Sequence, residues 1–268
     1  MKSREMVGRV AAFFDLDGTL ILRPSLERRF FAELRQRRAI PMRNYFLWLA
    51  RAARLTPHGV QVMRHANKMY LRSLRPRQVG YERERGQPPR QGSGQAEVAV
   101  PRFFPKGVDQ VAWHAQRGHA IVLLSGTLAP LAQEMALALV MRLAVRGIAA
   151  SVAFCATRLE ENDGRWTGRI VGDAMFGEAK SRAVQQMAVD KGFELAQCYA
   201  YGDSVSDRWM LEAVGRPVAV NPSWRLKTLA RRKSWPVLTW AEGKTPKQSS
   251  SSTRGEQRDA EEIWENVG

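Results

Sequence analysis

A layered α/β protein, a parallel sheet with helices on both faces, is what the 268 residues predict, on three observations. Short apolar runs alternate with helix-length amphipathic stretches from about residue 100 to 240, the order that builds a parallel sheet. Two of those runs, and an earlier one over Val10–Phe14, end in acidic or small polar residues, where open parallel sheets hold their ligands. After the first run comes a helical, arginine-rich stretch without strand periodicity, which reads as an insertion. The expected architecture is a three-layer, Rossmann-like core over residues 1–22 and 100–242. An α-helical cap over 23–99 interrupts it, with a mobile linker near 75–95, and a tail over 243–268 without fixed structure follows.

Residues 7–22 form the first strand and its exit loop: Val10-Ala11-Ala12-Phe13-Phe14 is a buried parallel strand by composition. From Ser25, a good N-cap, Leu26, Phe30, Phe31 and Leu34 recur at helical spacing. Further helices are expected over Tyr45 to Leu55 and from about Val60 to Leu74, and the Pro- and Gly-rich 75–95 is a loop. A helix from Pro105 to Gly118 precedes the strand Ala120–Leu124, then a long helix from about Leu128 to Arg146 and a short strand over Val152–Cys155. Asn162-Asp163-Gly164 between residues 157–161 and 165–171 is a hairpin turn signal. A helix over Gly177 to Lys191, a strand over Cys198–Tyr201, Val218–Val220, a helix near Trp224–Arg232 and Val237-Leu238 complete the sheet.

The formal net charge is +16, and it is concentrated. Residues 23–90 hold seventeen basic side chains (sixteen Arg and Lys68) against Glu27, Glu33, Glu82 and Glu84. No window has 18 uninterrupted apolar residues and the N-terminus has no cleavable hydrophobic region, so the expected location is cytoplasmic. Cys155 and Cys198 lie in apolar runs without ligand spacing and are expected as free thiols.

The chemistry begins at Asp15-Leu16-Asp17-Gly18-Thr19. Two carboxylates this close repel unless a cation lies between them or one keeps its proton. Ser125-Gly126-Thr127 and Gly202-Asp203-Ser204-Val205-Ser206-Asp207 end two further strands, and Lys180 starts a helix between them. In this order the four motifs resemble those of the haloacid-dehalogenase-like hydrolase superfamily. The helical insert, the hairpin around 163–168 and the form of the fourth motif are similar to its phosphoserine-phosphatase-like branch. Two positions differ from that branch: Pro24 stands where an acidic residue, nine after the nucleophile, binds the serine amine, and Thr127 replaces a glycine.

The resemblance implies a phosphomonoesterase acting on a small organic phosphate. Asp15 would be the nucleophile that becomes an aspartyl-phosphate, and Asp17 the general acid and then base. Mg²⁺ would be held by the Asp15 carboxylate, the Asp17 backbone carbonyl and Asp203. Ser125, the Gly126 amide and Lys180 would grip the phosphoryl oxygens, while Asp207 orients Lys180 or a water in the metal's shell. Thr19 either orients the Asp17 carboxylate or satisfies the loop. Phosphoserine phosphatase, phosphotransferase and a non-catalytic basic binding protein are the alternatives. The basic insert admits three readings: a solvated arginine face, an anionic lipid surface met by Leu47, Trp48, Leu49 and Leu55 among Arg43, Arg51 and Arg54, or nucleic acid, the least favoured. The first makes the protein purely cytoplasmic; the second makes it peripheral at a membrane.

Overall fold

The computed structural model describes residues 9–58, 67–76 and 102–240. The tail over 243–268, most of the expected linker and the start of the expected third helix lie outside these residues.

Six parallel strands form one sheet in the order β3-β2-β1-β6-β7-β8. They are β1 (Ala11–Phe14), β2 (Ala120–Leu128), β3 (Val152–Thr157), β6 (Tyr199–Gly202), β7 (Arg216–Val220) and β8 (Val237–Leu238). The first strand in sequence is central: Phe14 pairs with Leu123 of β2 on one side and Tyr201 of β6 on the other. That explains why all four of its residues are buried. It also sets the ends of β1, β2 and β6 side by side, and the motifs follow from those ends.

The alternating side chains of β1 sort the helices into two layers. Ala12 and Phe14 pack with α3 (Pro105–Gln116) and α4 (Ala129–Val145). Ala11 and Phe13 pack with α5 (Glu178–Lys191), α6 (Arg208–Glu212) and α7 (Trp224–Arg232). The strand β2 runs beyond the expected Leu124, with its register to β3 shifting between Ser125 and Leu128. The irregularity frees the backbone around Gly126 from the ladder while keeping it in the strand. The strand expected over Cys198–Tyr201 starts one residue later, because Cys198 instead turns its Sγ to the Ala11 N–H at 3.3 Å.

In the insert, α1 (Leu26–Gln36) starts at Ser25, whose side chain accepts from the Arg28 N–H. Leu26, Phe30 and Leu34 are buried in the same apolar cluster as α3 and α4. Over it lies α2 (Met42–Leu55), whose Trp48 ring packs 6.2 Å from Phe31. Trp48 therefore faces inward, against the expectation for an interfacial helix, while Met42, Phe46 and Leu49 are exposed. Buried Asn44 donates to the carbonyls of Tyr70 and Arg72, fixing α2 to a short 3₁₀ turn at Met69–Leu71.

The third helix expected over 60–74 is not present in its described part. Ser73 N–H donates to the Trp166 carbonyl at 2.7 Å, and Trp166 N–H returns a bond to Leu74. Backbone groups given to a hairpin cannot also serve a helix. That hairpin is β4 (Leu159–Asn162) with β5 (Arg165–Ile170). Asp163 and Gly164 both have positive φ, as the Asp-Gly signal requires.

Candidate active site

Asp15 leaves the end of β1, Asp203 the end of β6, and Asp207 the 3₁₀ turn Val205–Asp207 that follows. One oxygen from each lies within 4.8 Å of the others, and all three residues are buried. Glycines allow this approach. A Cβ on Gly18 would stand 2.3 Å from Asp203 Oδ2, and one on Gly202 2.6 Å from Asp207 Cβ. Gly18 also holds a φ of +92°, which other residues rarely adopt.

Lys180, in the first turn of α5, is buried among them. Its Nζ donates to Asp15 Oδ1 at 2.5 Å and to Asp207 Oδ1 at 2.6 Å. Burial alone would lower its pKa, but the two carboxylates outweigh that and hold the ammonium charged. Asp207 is fixed in turn through Oδ2, which accepts from the Ser204 N–H and hydroxyl. Burial pushes Asp15 well above the usual carboxylate range against the pull of Lys180. Asp203 is pushed up to about 6, first by burial and then by the charge of Asp207. Three acids facing the Lys180 ammonium, with the Arg23 guanidinium 2.6 Å from Asp203, are short of positive charge. A set of hard carboxylate oxygens this close is the chemistry that fits a divalent cation such as Mg²⁺ or Ca²⁺.

Asp17 is held apart from this cluster. Its Oδ1 accepts from the Leu26 N–H at 2.8 Å, the first amide of α1. Burial raises its pKa to about 6, and the Leu26 bond opposes the rise. A carboxyl poised near neutrality suits proton transfer in both directions. The Thr19 hydroxyl donates to Asp15 Oδ2 at 3.3 Å, not to Asp17. Thr19 leaves the loop turned back toward β1, so the nearest acceptor is the strand-end carboxylate.

Asp15, Asp17, Ser125, Gly126, Lys180, Asp203 and Asp207 all line one cavity of about 640 Å³. Ser125 Oγ accepts from the Thr127 N–H, and the Gly126 carbonyl accepts from the Thr157 hydroxyl, so this irregular part of β2 is braced from both sides. Every residue that the motifs singled out is thus brought to one place, with Thr19 behind Asp15.

Others lay outside the motifs. Arg23 Nη2 reaches Asp203 Oδ2 at 2.6 Å, although the arginine side chain is 72% exposed and the aspartate 4%. Glu27, on the cavity wall, accepts from Lys68 Nζ through both oxygens at 2.5 Å and from the Tyr70 hydroxyl at 2.8 Å. Lys68 is fully buried. One signal was available for it: it is the sole lysine among the arginines of 23–90.

The family model described as haloacid dehalogenase-like hydrolase matches residues 12–212. A probable phosphatase of Mycobacterium tuberculosis is 31% identical over 245 residues, covering 87% of this chain and 76% of the relative. Phosphoserine phosphatase SerB1 of the same organism is 29% identical over 230 residues, 85% of this chain and 70% of that one. A crystal structure of a protein of unknown function from Bordetella pertussis superposes with a TM-score of 0.61 at 27% identity, over 87% of this chain and all of the other. With the strand-end acids, the lysine and the sheet order agreeing, the chain belongs to the haloacid dehalogenase-like hydrolase family, on the side of it where its phosphoserine-phosphatase relative lies.

Proposed function

We propose that the protein is a magnesium-dependent phosphomonoesterase of small organic phosphates, with residues 23–99 as its cap. The observation that carries this reading is the meeting of Asp15, Asp17, Lys180 and Asp203 in one cavity. Asp15 Oδ attacks phosphorus, the ester P–O bond breaks, and Asp17 gives its proton to the departing oxygen. A water then attacks the aspartyl-phosphate, Asp17 takes the proton back, and Asp15 and inorganic phosphate are released. Lys180, the Ser125 hydroxyl and the Gly126 amide hold the phosphoryl oxygens. Asp15, Asp203 and the Asp17 carbonyl would hold Mg²⁺, which supplies neutralisation of charge on the transferring group. Asp207 keeps Lys180 aimed at Asp15.

The names of the Mycobacterium tuberculosis relatives support phosphate esters as substrates. With Pro24 at the position described above, we do not assign phosphoserine in particular. Passing the phosphoryl group to an alcohol instead of water is the same chemistry with another acceptor. The exposed Met42, Phe46 and Leu49 on the basic helix α2 support contact with an anionic surface as a second reading, tested by co-sedimentation with anionic vesicles. The main test is phosphate release from p-nitrophenyl phosphate with Mg²⁺. Wild type is expected to turn over; turnover surviving Asp15→Asn at comparable rate would remove Asp15 as nucleophile.

A further inference from the structure

A second and larger cleft, of about 950 Å³, opens beside the catalytic cavity between α2, the end of β5 and the start of α5. The two meet along one turn of chain. Phe176 lines both, Ala179 faces the larger cleft, and its neighbour Lys180 faces the acids. A cleft of this size accommodates a ligand far bulkier than a phosphate group.

The chemistry of its walls is uneven. Beside Gly177, next to the junction, they are aromatic (Phe176 and Trp209), and Met69 adds an apolar wall against Gly168. The same cleft is lined by three exposed arginines, Arg51 and Arg54 from α2 and Arg169 from β5. A fourth arginine, Arg182, is spoken for, since it pairs with Asp173 at 2.5 Å and with Glu178 at 3.7 Å. The other three have no such partner among the described carboxylates. Both acids of the cleft are therefore already matched, and among the described residues its unmatched charge is positive. Arginine forks unpaired at the rim of a concave surface raise the local concentration of anions and match carboxylate or phosphate oxygens in pairs.

We propose that this cleft receives the alcohol part of the substrate, and that this part carries a second anionic group on an apolar or aromatic body. The inference rests on the phosphomonoesterase reading for the ester end. The ester phosphate lies with Lys180, the body runs past Phe176, and the far anion reaches Arg51, Arg54 and Arg169. The shared chemistry of that anion is a carboxylate or phosphate oxygen pair.

Phenyl phosphate and 4-carboxyphenyl phosphate differ only in the far anion, and phosphoglycolate keeps an anion without the body. The expected result is a KM for the carboxyphenyl ester about tenfold or more below that for the phenyl ester, with phosphoglycolate no better than the phenyl ester. In the combined variant Arg51→Ala, Arg54→Ala, Arg169→Ala the ratio of the two KM values falls to about one, while circular dichroism and Tm report the fold. Because the readout is a ratio, a general loss of activity cancels. Isothermal titration of both esters into Asp15→Asn protein gives the same comparison without turnover. If neither ester is hydrolysed by wild type yet the titration shows the preference, the phosphatase reading fails and the cleft stands. No preference in the titration, or a preference that survives loss of all three arginines, overturns the cleft.

Discussion

Lys180 and Asp207 form a buried ion pair at 2.6 Å, with side chains 3% and 2% exposed. The lysine also holds Asp15, so on the proposed mechanism Asp207 acts at one remove from the nucleophile. Asp207→Asn is expected to lower kcat by about 10–100-fold, with a smaller change in KM, because the ammonium loses one of two anchors. Steady-state kinetics at several pH values check it. A variant with wild-type kcat would reduce Asp207 to a structural role.

Arg23 already occupies one oxygen of Asp203, so a divalent cation that takes that oxygen must break a charged hydrogen bond. Arg23→Gln is expected to tighten Mg²⁺ binding by about 3–10-fold, since the competing charge is gone. Calorimetry measures it directly, and weaker binding in the variant would refute the competition. The same titrations carry a pH signature. Asp203 protonates near 6, so affinity is expected to fall as the buffer is taken below that value. Chelation should abolish turnover and lower Tm.

The pair Lys68–Glu27 predicts an asymmetry. Lys68 is wholly buried, whereas the Glu27 side chain is 23% exposed and keeps the Tyr70 hydroxyl. Glu27→Gln strands a buried ammonium and is expected to cost about 3–5 kcal/mol. Lys68→Met leaves a carboxylate that water still reaches and should cost less. The double variant should recover most of the loss. Chemical denaturation of the three proteins decides; equal single costs would show that burial does not govern this pair.

Acid sensitivity should trace to His114. Its Nε2 and the Tyr201 hydroxyl are 2.8 Å apart, and its Nδ1 is 2.8 Å from His119 Nδ1. Burial first, then the charges of His119, Arg117 and Arg216, hold its pKa well below the ordinary 6.5. The unfolded chain takes up this proton near 6.5 while the folded one resists, so stability present above 6.5 is lost as pH falls through it. Replacing His114 by Gln should flatten the decline of Tm between pH 7 and 5. Parallel curves for the two proteins would assign the decline elsewhere.

The parts of the site that were legible in the sequence are those fixed by the chain next to them. Asp15 and Asp203 follow directly from strands β1 and β6, so strand composition and one sheet order sufficed to bring them together. Lys180 was legible through its place between the second and fourth motifs, near the start of a helix, in the order that the family resemblance supplies. Arg23 was not, since its partner is 180 positions away. The same holds for Lys68 and Glu27, 41 positions apart. Which way Trp48 turns depends on Phe31 and Tyr70, whose rings it meets across helices. Residues 67–74 misled for a related reason: their composition suits a helix, but Trp166, far along the chain, claims the backbone at Ser73 and Leu74. Period and propensity describe a segment alone, and pairing decides it.

The bond from the Leu26 amide to Asp17 has one more consequence. The first turn of α1 follows the exit loop of β1, and the same turn holds the carboxyl to which the proposed mechanism gives the proton transfer. If α1 lifts from the sheet, taking Leu26 with it, Asp17 is released. On the proposed mechanism the arrangement is an interlock: the helix that walls the cavity also aims the proton-carrying carboxyl, so chemistry and enclosure are registered at a single amide.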